Sequence, residues 1–283
     1  GVYMPGVRLV AAAVDPRRRG FSVGAYVASF YFGSSASFFL TGALLGALDW
    51  RGAALALAVA AVPAFPLALA GARGIALETG GRARFDLGVL RHGPLMRTIT
   101  AYAGHSWELF VVRAWLAAFL AAALVARGLD TDEAAAVASL WAAAVLALGI
   151  PGVFLGGWIS DRLGRRRTAL VFAGTSGALS LVFGALLELP FPAIVAIGLV
   201  YGGLIAADSA VYSTAVTEVA PSGRVGSAQA VQAFLGFSLG ALGPVASGAA
   251  LDLGLGWIGV FATGGVVGLI ATVPLAAARL RAA

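Results

Sequence analysis

The stretch that decides the fold runs from residue 156 to residue 168 and reads Gly156-Gly-Trp-Ile-Ser-Asp161-Arg162-Leu-Gly164-Arg165-Arg166-Arg167-Thr168. It is a glycine-rich, strongly basic turn between two long apolar runs, and one aspartate stands among four arginines. Glycine permits a tight turn and a close approach of two helices, whereas clustered arginines hold a loop on the cytoplasmic side of a membrane. The stretch therefore predicts a cytoplasmic connection between two membrane-spanning helices.

The composition of the whole chain also indicates a membrane protein. Of its 283 residues, 60% are hydrophobic and only 11% are charged. A soluble domain carries about 25% charged residues, so a soluble fold would expose far too much apolar surface. The absence of cysteine excludes disulfide and thiolate chemistry. The basic pI near 10.5 is explained by arginines at helix ends, so no nucleic-acid partner is predicted.

Eight apolar runs are each long enough to span a bilayer, which takes about 20 residues. They cover residues 21–48, 52–72, 98–124, 134–156, 168–187, 191–216, 226–251 and 256–278. A further apolar run, residues 1–14, is too short to span, and we interpret it as the end of a helix that begins before the first residue. The predicted fold class is an all-α integral membrane protein.

The arginines orient these helices. With the carboxyl terminus in the cytoplasm, fifteen arginines lie on the cytoplasmic side and only Arg51 and Arg127 lie outside, while Arg8 and Arg113 fall within apolar runs. The opposite orientation would invert the positive-inside rule. We therefore expect a multi-pass protein of the inner (plasma) membrane with a cytoplasmic carboxyl terminus.

Two motifs resemble those of a known family. The spacing Gly157-x-x-x-Asp161-Arg162-x-Gly164-x-Arg166-Arg167 matches the cytoplasmic loop motif of the major facilitator superfamily of secondary transporters. The start of the chain, Gly1-x-Tyr3-x-Pro5-Gly6-x-Arg8 followed by Pro16-x-x-Arg19-Gly20, is similar to the end of the fourth helix and the loop after it in many members. The resemblance covers essentially the whole chain.

The resemblance implies a fold of two helix bundles. Residues 1–72 would be an incomplete amino-terminal bundle with the end of helix 4 and helices 5 and 6, residues 73–97 a cytoplasmic linker, and residues 98–283 a complete six-helix bundle. A weak internal repeat agrees, since Gly42-x-x-x-Gly46 and Gly236-x-x-x-Gly240 each follow a proline–arginine segment. Such small-residue pairs predict close helix packing. The first three helices and most of the fourth are expected upstream.

The resemblance also implies a gating role for the basic motif. Asp161 would meet a helix end in its own bundle and stabilise one access state, with Arg162, Arg166 and Arg167 as its network. The alternative is that these arginines serve only to fix the orientation in the membrane.

Three ionisable residues fall close together in the first helix after the linker: His105, Glu108 and Arg113. A charge inside a membrane helix costs about 2.5–3.5 kcal/mol, so each is a functional candidate. At 100° per residue, Glu108 and Arg113 lie about 140° apart around the helix and cannot pair with each other. In one interpretation His105 or Glu108 takes up and releases a proton while Arg113 attracts an anionic substrate or holds Glu108 charged. In the other, all three clamp neighbouring helices together.

A second polar group lies in residues 191–216. Asp208 is the only charge there, and Tyr201 and Tyr212 lie within about 40° of its face of the helix. Asp208 could handle substrate or protons, but a gate or structural role, bonded to helix ends or to the arginines of the basic loop, is slightly favoured. Gln229 and Gln232, one turn apart in the next helix, could line a cavity or lie at the membrane interface.

The predicted function is therefore proton-coupled transport of a small solute by alternating access. The protein is expected to lie in a lipid bilayer and to be a monomer. The alternative is a non-transporting membrane protein on the same scaffold, such as a receptor, an assembly factor or a lipid-handling protein. An enzyme ranks third, because no catalytic constellation is present. No cofactor or metal is predicted, since the chain lacks a nucleotide-binding loop and His92 and His105 stand in different contexts.

Overall fold

The computed structural model describes residues 19–73 and 85–277, together with the single positions 6, 9, 10 and 13. The regular structure in these residues is helical. The helices are α1 (Arg19–Leu45), α2 (Trp50–Ala61), α3 (Ala64–Ala72), α4 (Gly93–Val125), α5 (Thr131–Ala147), α6 (Gly149–Leu163), α7 (Arg165–Phe183), α8 (Phe191–Ala207), α9 (Ser209–Val219), α10 (Val225–Asp252) and α11 (Gly256–Ala276), with 3-10 turns at Leu87–Arg91 and Gly184–Glu188.

Within the described ranges these helices form eight segments that are long and apolar enough to cross a membrane, which confirms the eight predicted runs. Three segments are interrupted: α2 and α3 meet at Pro63, α5 and α6 at Leu148, and α8 and α9 at Asp208. Parts of some predictions lie outside the described residues. These are most of the segment 1–14, linker residues 74–84, Arg17, Arg18, Arg82, Arg84, Arg279 and Arg281.

Some helices extend beyond the predicted apolar runs. The first helix after the linker begins at Gly93 rather than at residue 98, because the His92 side chain accepts the Leu95 N–H and Pro94 suits the first helical turn. On either side of the basic motif the helices extend beyond the predicted apolar runs 134–156 and 168–187, since α6 ends at Leu163 and α7 begins at Arg165. Gly164 alone separates α6 from α7, with a φ of 82° that strongly favours glycine.

The helix α4 lies at the centre of the described structure and packs most extensively against α10 and α11, while α1 packs mainly on α5. Gly236 and Gly240 of α10 face α4, and a Cβ at Gly240 would lie 3.1 Å from the Phe110 ring. Gly42 of α1 packs equally closely on α5, but Gly46 meets only its own helix. The predicted close packing is therefore confirmed for three of the four glycines.

One end of these helices carries most of the arginines that the structure describes, and we call it the basic end. It holds the start of α4, the junction of α6 with α7, and the connection between α9 and α10. The segment before α4 attaches here, because Asp86 forms an ion pair with Arg224 at 3.0 Å and its backbone N–H bonds Ser227 at 3.0 Å. The opposite end is filled by an aromatic core in which the Phe261 ring lies 5.0 Å from Phe183.

Candidate functional site

The helix α4 carries a buried histidine that contacts a buried aspartate. His105 is 3% exposed and Asp208, at the junction of α8 with α9, is 0% exposed. The His105 Nδ1 atom lies 3.0 Å from Oδ1 of Asp208. The predicted partners of Asp208 in a gate or structural role are helix ends or the arginines of the basic loop. Its ion-pair partner is instead His105 of α4, some turns deeper in the bundle.

A chain of hydrogen bonds continues from this pair to α1. His105 Nε2 lies 3.0 Å from the Ser209 hydroxyl, which lies 2.7 Å from the Tyr31 hydroxyl. Asp208, His105, Ser209 and Tyr31 thus form a continuous polar path across three helices. Sequence reasoning missed Tyr31 and Ser209, because uncharged hydroxyl groups in apolar helices give no distinctive signal. A tyrosine in the middle of an apolar run was the available hint.

Glu108 occupies a second, separate polar centre. It is 1% exposed, and its carboxylate accepts hydrogen bonds from Tyr201 at 3.0 Å and from Ser176 at 3.2 Å. Gly268 of α11 leaves room for it, since a Cβ there would lie 3.1 Å from Glu108 Oε2. The donors belong to α7 and α8, so this carboxylate joins three helices that all lie after the linker.

Arg113 points away from both centres towards α1. Its guanidinium lies 4.1 Å from the Phe30 ring centroid and 5.1 Å from that of Tyr31. It lines an open groove of about 510 Å³ together with Ser29, Ser34 and Ser37. Glu108 and Arg113 therefore face different neighbours, as their angular separation on the helix required.

The remaining predicted residues divide between the interior and the basic end. Tyr212 is buried, and its ring lies 5.6 Å from that of His105, one turn nearer the basic end than Asp208. Gln232 is buried as well, and its side-chain amide makes no hydrogen bond within the described residues. Gln229 is half-buried and donates to Thr217 at 3.3 Å. The two glutamines thus have different surroundings.

The basic motif ties together several helices at the basic end. Arg165 pairs with Asp161 at 2.6 Å and with Glu218 of α9 at 3.1 Å. Arg166 donates to the carbonyl of Leu275 at 2.9 Å and to that of Ala276, at the end of α11. These bonds join α6, α7, α9 and α11 into one network.

The other motif residues contribute locally. Arg162 stacks on Trp158, 3.6 Å from its ring centroid, and Arg167 is exposed. Gly157 has open space around it, whereas its neighbour Gly156 lies against the backbone of Ala207. The close helix contact in the motif is therefore made by Gly156 rather than by Gly157. Across residues 19–73 and 85–277, no group of three His, Asp or Glu side chains could hold a metal ion.

Comparisons with known proteins agree with this architecture. The model of the family described as Major Facilitator Superfamily matches residues 109–282, more than half of the chain. A solved structure of a bacterial homolog to the human lysosomal transporter Spinster, inward-facing and unoccupied, is similar with a TM-score of 0.57. The two share 16% sequence identity over 96% of this chain and 71% of that chain, so this likeness concerns the fold alone. No curated protein sequence matches significantly. The chain belongs to the major facilitator superfamily of membrane transporters.

Proposed function

We propose that the protein moves a small solute across its membrane by alternating access, and that proton transfer at the pair of His105 and Asp208 drives the movement. One observation carries the proposal: this buried pair is connected through Ser209 to Tyr31 of α1. Imidazole is the side chain whose charge changes most readily near neutral pH, and a buried carboxylate is its natural partner.

The proposed coupling depends on a two-bundle division of the chain. We assign residues 1–72 to the first bundle, residues 73–92 to the linker and α4–α11 to the second bundle. Tyr31 then belongs to one bundle, and Ser209 and His105 belong to the other. Rocking of one bundle against the other would break the contact between Tyr31 and Ser209 and change the hydrogen bonding of His105. A proton on the pair and the access state would then influence each other reciprocally.

We further propose that the basic end faces the cytoplasm. Arg97, Arg162, Arg165, Arg167 and Arg224 all lie at this end, whereas Arg127 lies at the other, where it bonds the carbonyl of Leu187. The positive-inside rule favours this orientation. In it, the network of Asp161, Arg165 and Glu218 would hold the cytoplasmic ends of α6, α7 and α9 together in one access state.

Labelling of single cysteines tests the proposal, because the chain has no cysteine of its own. Ser37→Cys places a thiol in the groove between α1 and Arg113. An impermeant maleimide is applied to inside-out and right-side-out vesicles over a range of pH. Alternating access predicts labelling from both sides, in a ratio that changes with pH.

The carboxylate variants separate the two parts of the proposal. Asp208→Asn should abolish the pH dependence of the labelling ratio, while the exposed Asp252→Asn, at the end of α10, should leave it unchanged. Labelling from one side only at every pH would overturn transport and favour the non-transporting alternative. A pH dependence that persists in Asp208→Asn would remove the pair from coupling.

A further inference from the structure

A second cavity lies inside the helices after the linker, at the basic end. It measures about 760 Å³ and opens between α4, α7, α9 and α11. Its mouth carries Arg97, Arg165, Arg166 and Glu218, and Tyr212 lies at its inner end. Ligand pockets of drug-sized molecules have volumes of about 300–1,000 Å³, so the cavity is large enough for a small organic molecule.

The charges around the mouth are predominantly positive, with three arginines and one glutamate. Arg165 is neutralised by Glu218 and Asp161, and Arg166 bonds the carbonyls at the end of α11. The exposed Arg97 enters no ion pair with any other residue that the structure describes. The mouth therefore has a positive charge without a partner.

The start of α7 adds to this positive potential. Arg165 is the first residue of this 19-residue helix, and Gly164 before it supplies no side-chain cap. The first N–H groups of a helix lack partners within it and favour an anion nearby. An anion bound between Arg97 and the first turn of α7 would thus meet guanidinium and backbone donors together.

A polar group at the inner end of the cavity is a second, independent feature of the site. Tyr212 is fully buried, and its hydroxyl makes no hydrogen bond with any other described residue. Buried hydroxyl groups nearly always have a partner, and a ligand that extends to this end of the cavity can supply one. Between Tyr212 and the arginines the walls are apolar, formed by Ala169, Ala215 and Leu275.

We propose that this cavity binds a phosphate-type anion that carries an apolar group. The anion lies at Arg97 and the start of α7, and the apolar group extends along the walls towards Tyr212. Guanidinium groups match phosphate oxygens in a bidentate geometry, which favours this anion. Either a soluble phosphate ester or the headgroup of an anionic lipid supplies this chemistry. The site is separate from the pair of His105 and Asp208 and does not depend on the proposed transport cycle.

Binding of hexyl phosphate to the purified chain in neutral detergent tests the soluble source, with hexanol and sodium chloride of equal ionic strength as controls. Titration calorimetry gives the affinity, and the shift in unfolding temperature gives a second measure. Arg97→Gln should weaken binding about ten- to a hundredfold, because a charge-assisted contact is lost. Tyr212→Phe should weaken it about three- to tenfold. Arg51→Gln removes an exposed arginine that stacks on Trp50, outside the cavity, and should have no effect.

Nanodiscs test the lipid source. If phosphatidylglycerol raises the unfolding temperature relative to phosphatidylcholine, and Arg97→Gln but not Arg51→Gln abolishes the difference, the anion is a lipid headgroup. Binding of hexyl phosphate with the same dependence on Arg97 supports the site with a soluble ester. The proposal is overturned if hexanol acts as strongly as hexyl phosphate, if Arg51→Gln weakens binding as much as Arg97→Gln, or if neither probe stabilises the protein.

Discussion

Removing His105 should destabilise the protein more than neutralising Asp208, although both changes break the same 3.0 Å contact. In His105→Leu the Asp208 carboxylate stays fully buried without its ion-pair partner. Breaking a buried ion pair in this way typically costs about 3–5 kcal/mol. In Asp208→Asn no buried carboxylate is left without its partner and His105 keeps its bond to Ser209. The loss should then be smaller, about 1.5–3 kcal/mol, the size of one polar contact with a charged group.

The double variant separates this explanation from a simple packing defect. Asp208→Asn removes the carboxylate that His105→Leu would strand, so the two losses should not add. We expect the double variant to be more stable than the sum of the single losses predicts, by about 1–3 kcal/mol. A difference of 3 kcal/mol corresponds to roughly a hundredfold change in the unfolding equilibrium constant, which is easily measured.

Unfolding in mixed detergent and SDS micelles, followed by tryptophan fluorescence, gives the free energies of unfolding of the wild type, the two single variants and the double variant. Asp252→Asn is the matched control, because it neutralises an exposed carboxylate at the end of α10 and should change stability by less than about 0.5 kcal/mol. Equal losses in the two single variants, or strict additivity in the double variant, would refute the reasoning. The contact would then contribute through shape alone.

Three further predictions concern the packing of Gly156, the role of Asp161 in the basic motif and the role of Glu108. Gly156→Ala should destabilise the protein by about 1–3 kcal/mol in the same unfolding assay, because its Cβ would overlap the Ala207 carbonyl, whereas Gly157→Ala, with open space around it, should not. Asp161→Asn should cost no more than about 1 kcal/mol, since this aspartate is largely exposed, yet under the gating proposal it should shift the labelling ratio of the Ser37→Cys thiol. Glu108→Gln should leave the pH dependence of that labelling ratio unchanged. If the pH dependence disappears in this variant, Glu108 takes part in proton coupling.

The eight spans and the position of the basic motif could be read from the sequence because length, apolarity and arginine clustering are local properties. The interruption of the helix at Asp208 could not be predicted, since an aspartate in an apolar run is compatible with an unbroken helix. The start of α4 at Gly93 depends on the capping by His92, and a histidine is a weak capping signal. The hydrogen bond of the His92 side chain therefore places the start of α4 before the apolar run that the composition indicates.

The sequence indicates that the ionisable residues need partners on other helices, but it does not indicate which residues those partners are. Helical geometry required Glu108 and Arg113 to face different neighbours, and they do. The pairing of the helices depends on contacts such as that of Gly202 with the backbone of Val145. Because glycine has no side chain, the two helices approach each other closely there. Nothing in the sequence pairs such a glycine with its partner. Tyr31 and Ser209 could not be predicted either, because an uncharged hydroxyl group in an apolar helix gives no distinctive signal.

The two buried polar centres differ in a way that bears on coupling. Among the described residues Glu108 bonds to Tyr201 and Ser176, and all three lie in helices between α4 and α8. A rigid rotation of those helices against α1 would leave these bonds unchanged. The pair of His105 and Asp208 reaches α1 through Ser209, so the same rotation would alter its hydrogen bonding. If the bundles move as rigid bodies, the pair of His105 and Asp208 responds to the movement and Glu108 does not, which favours a structural role for Glu108 over a role in coupling.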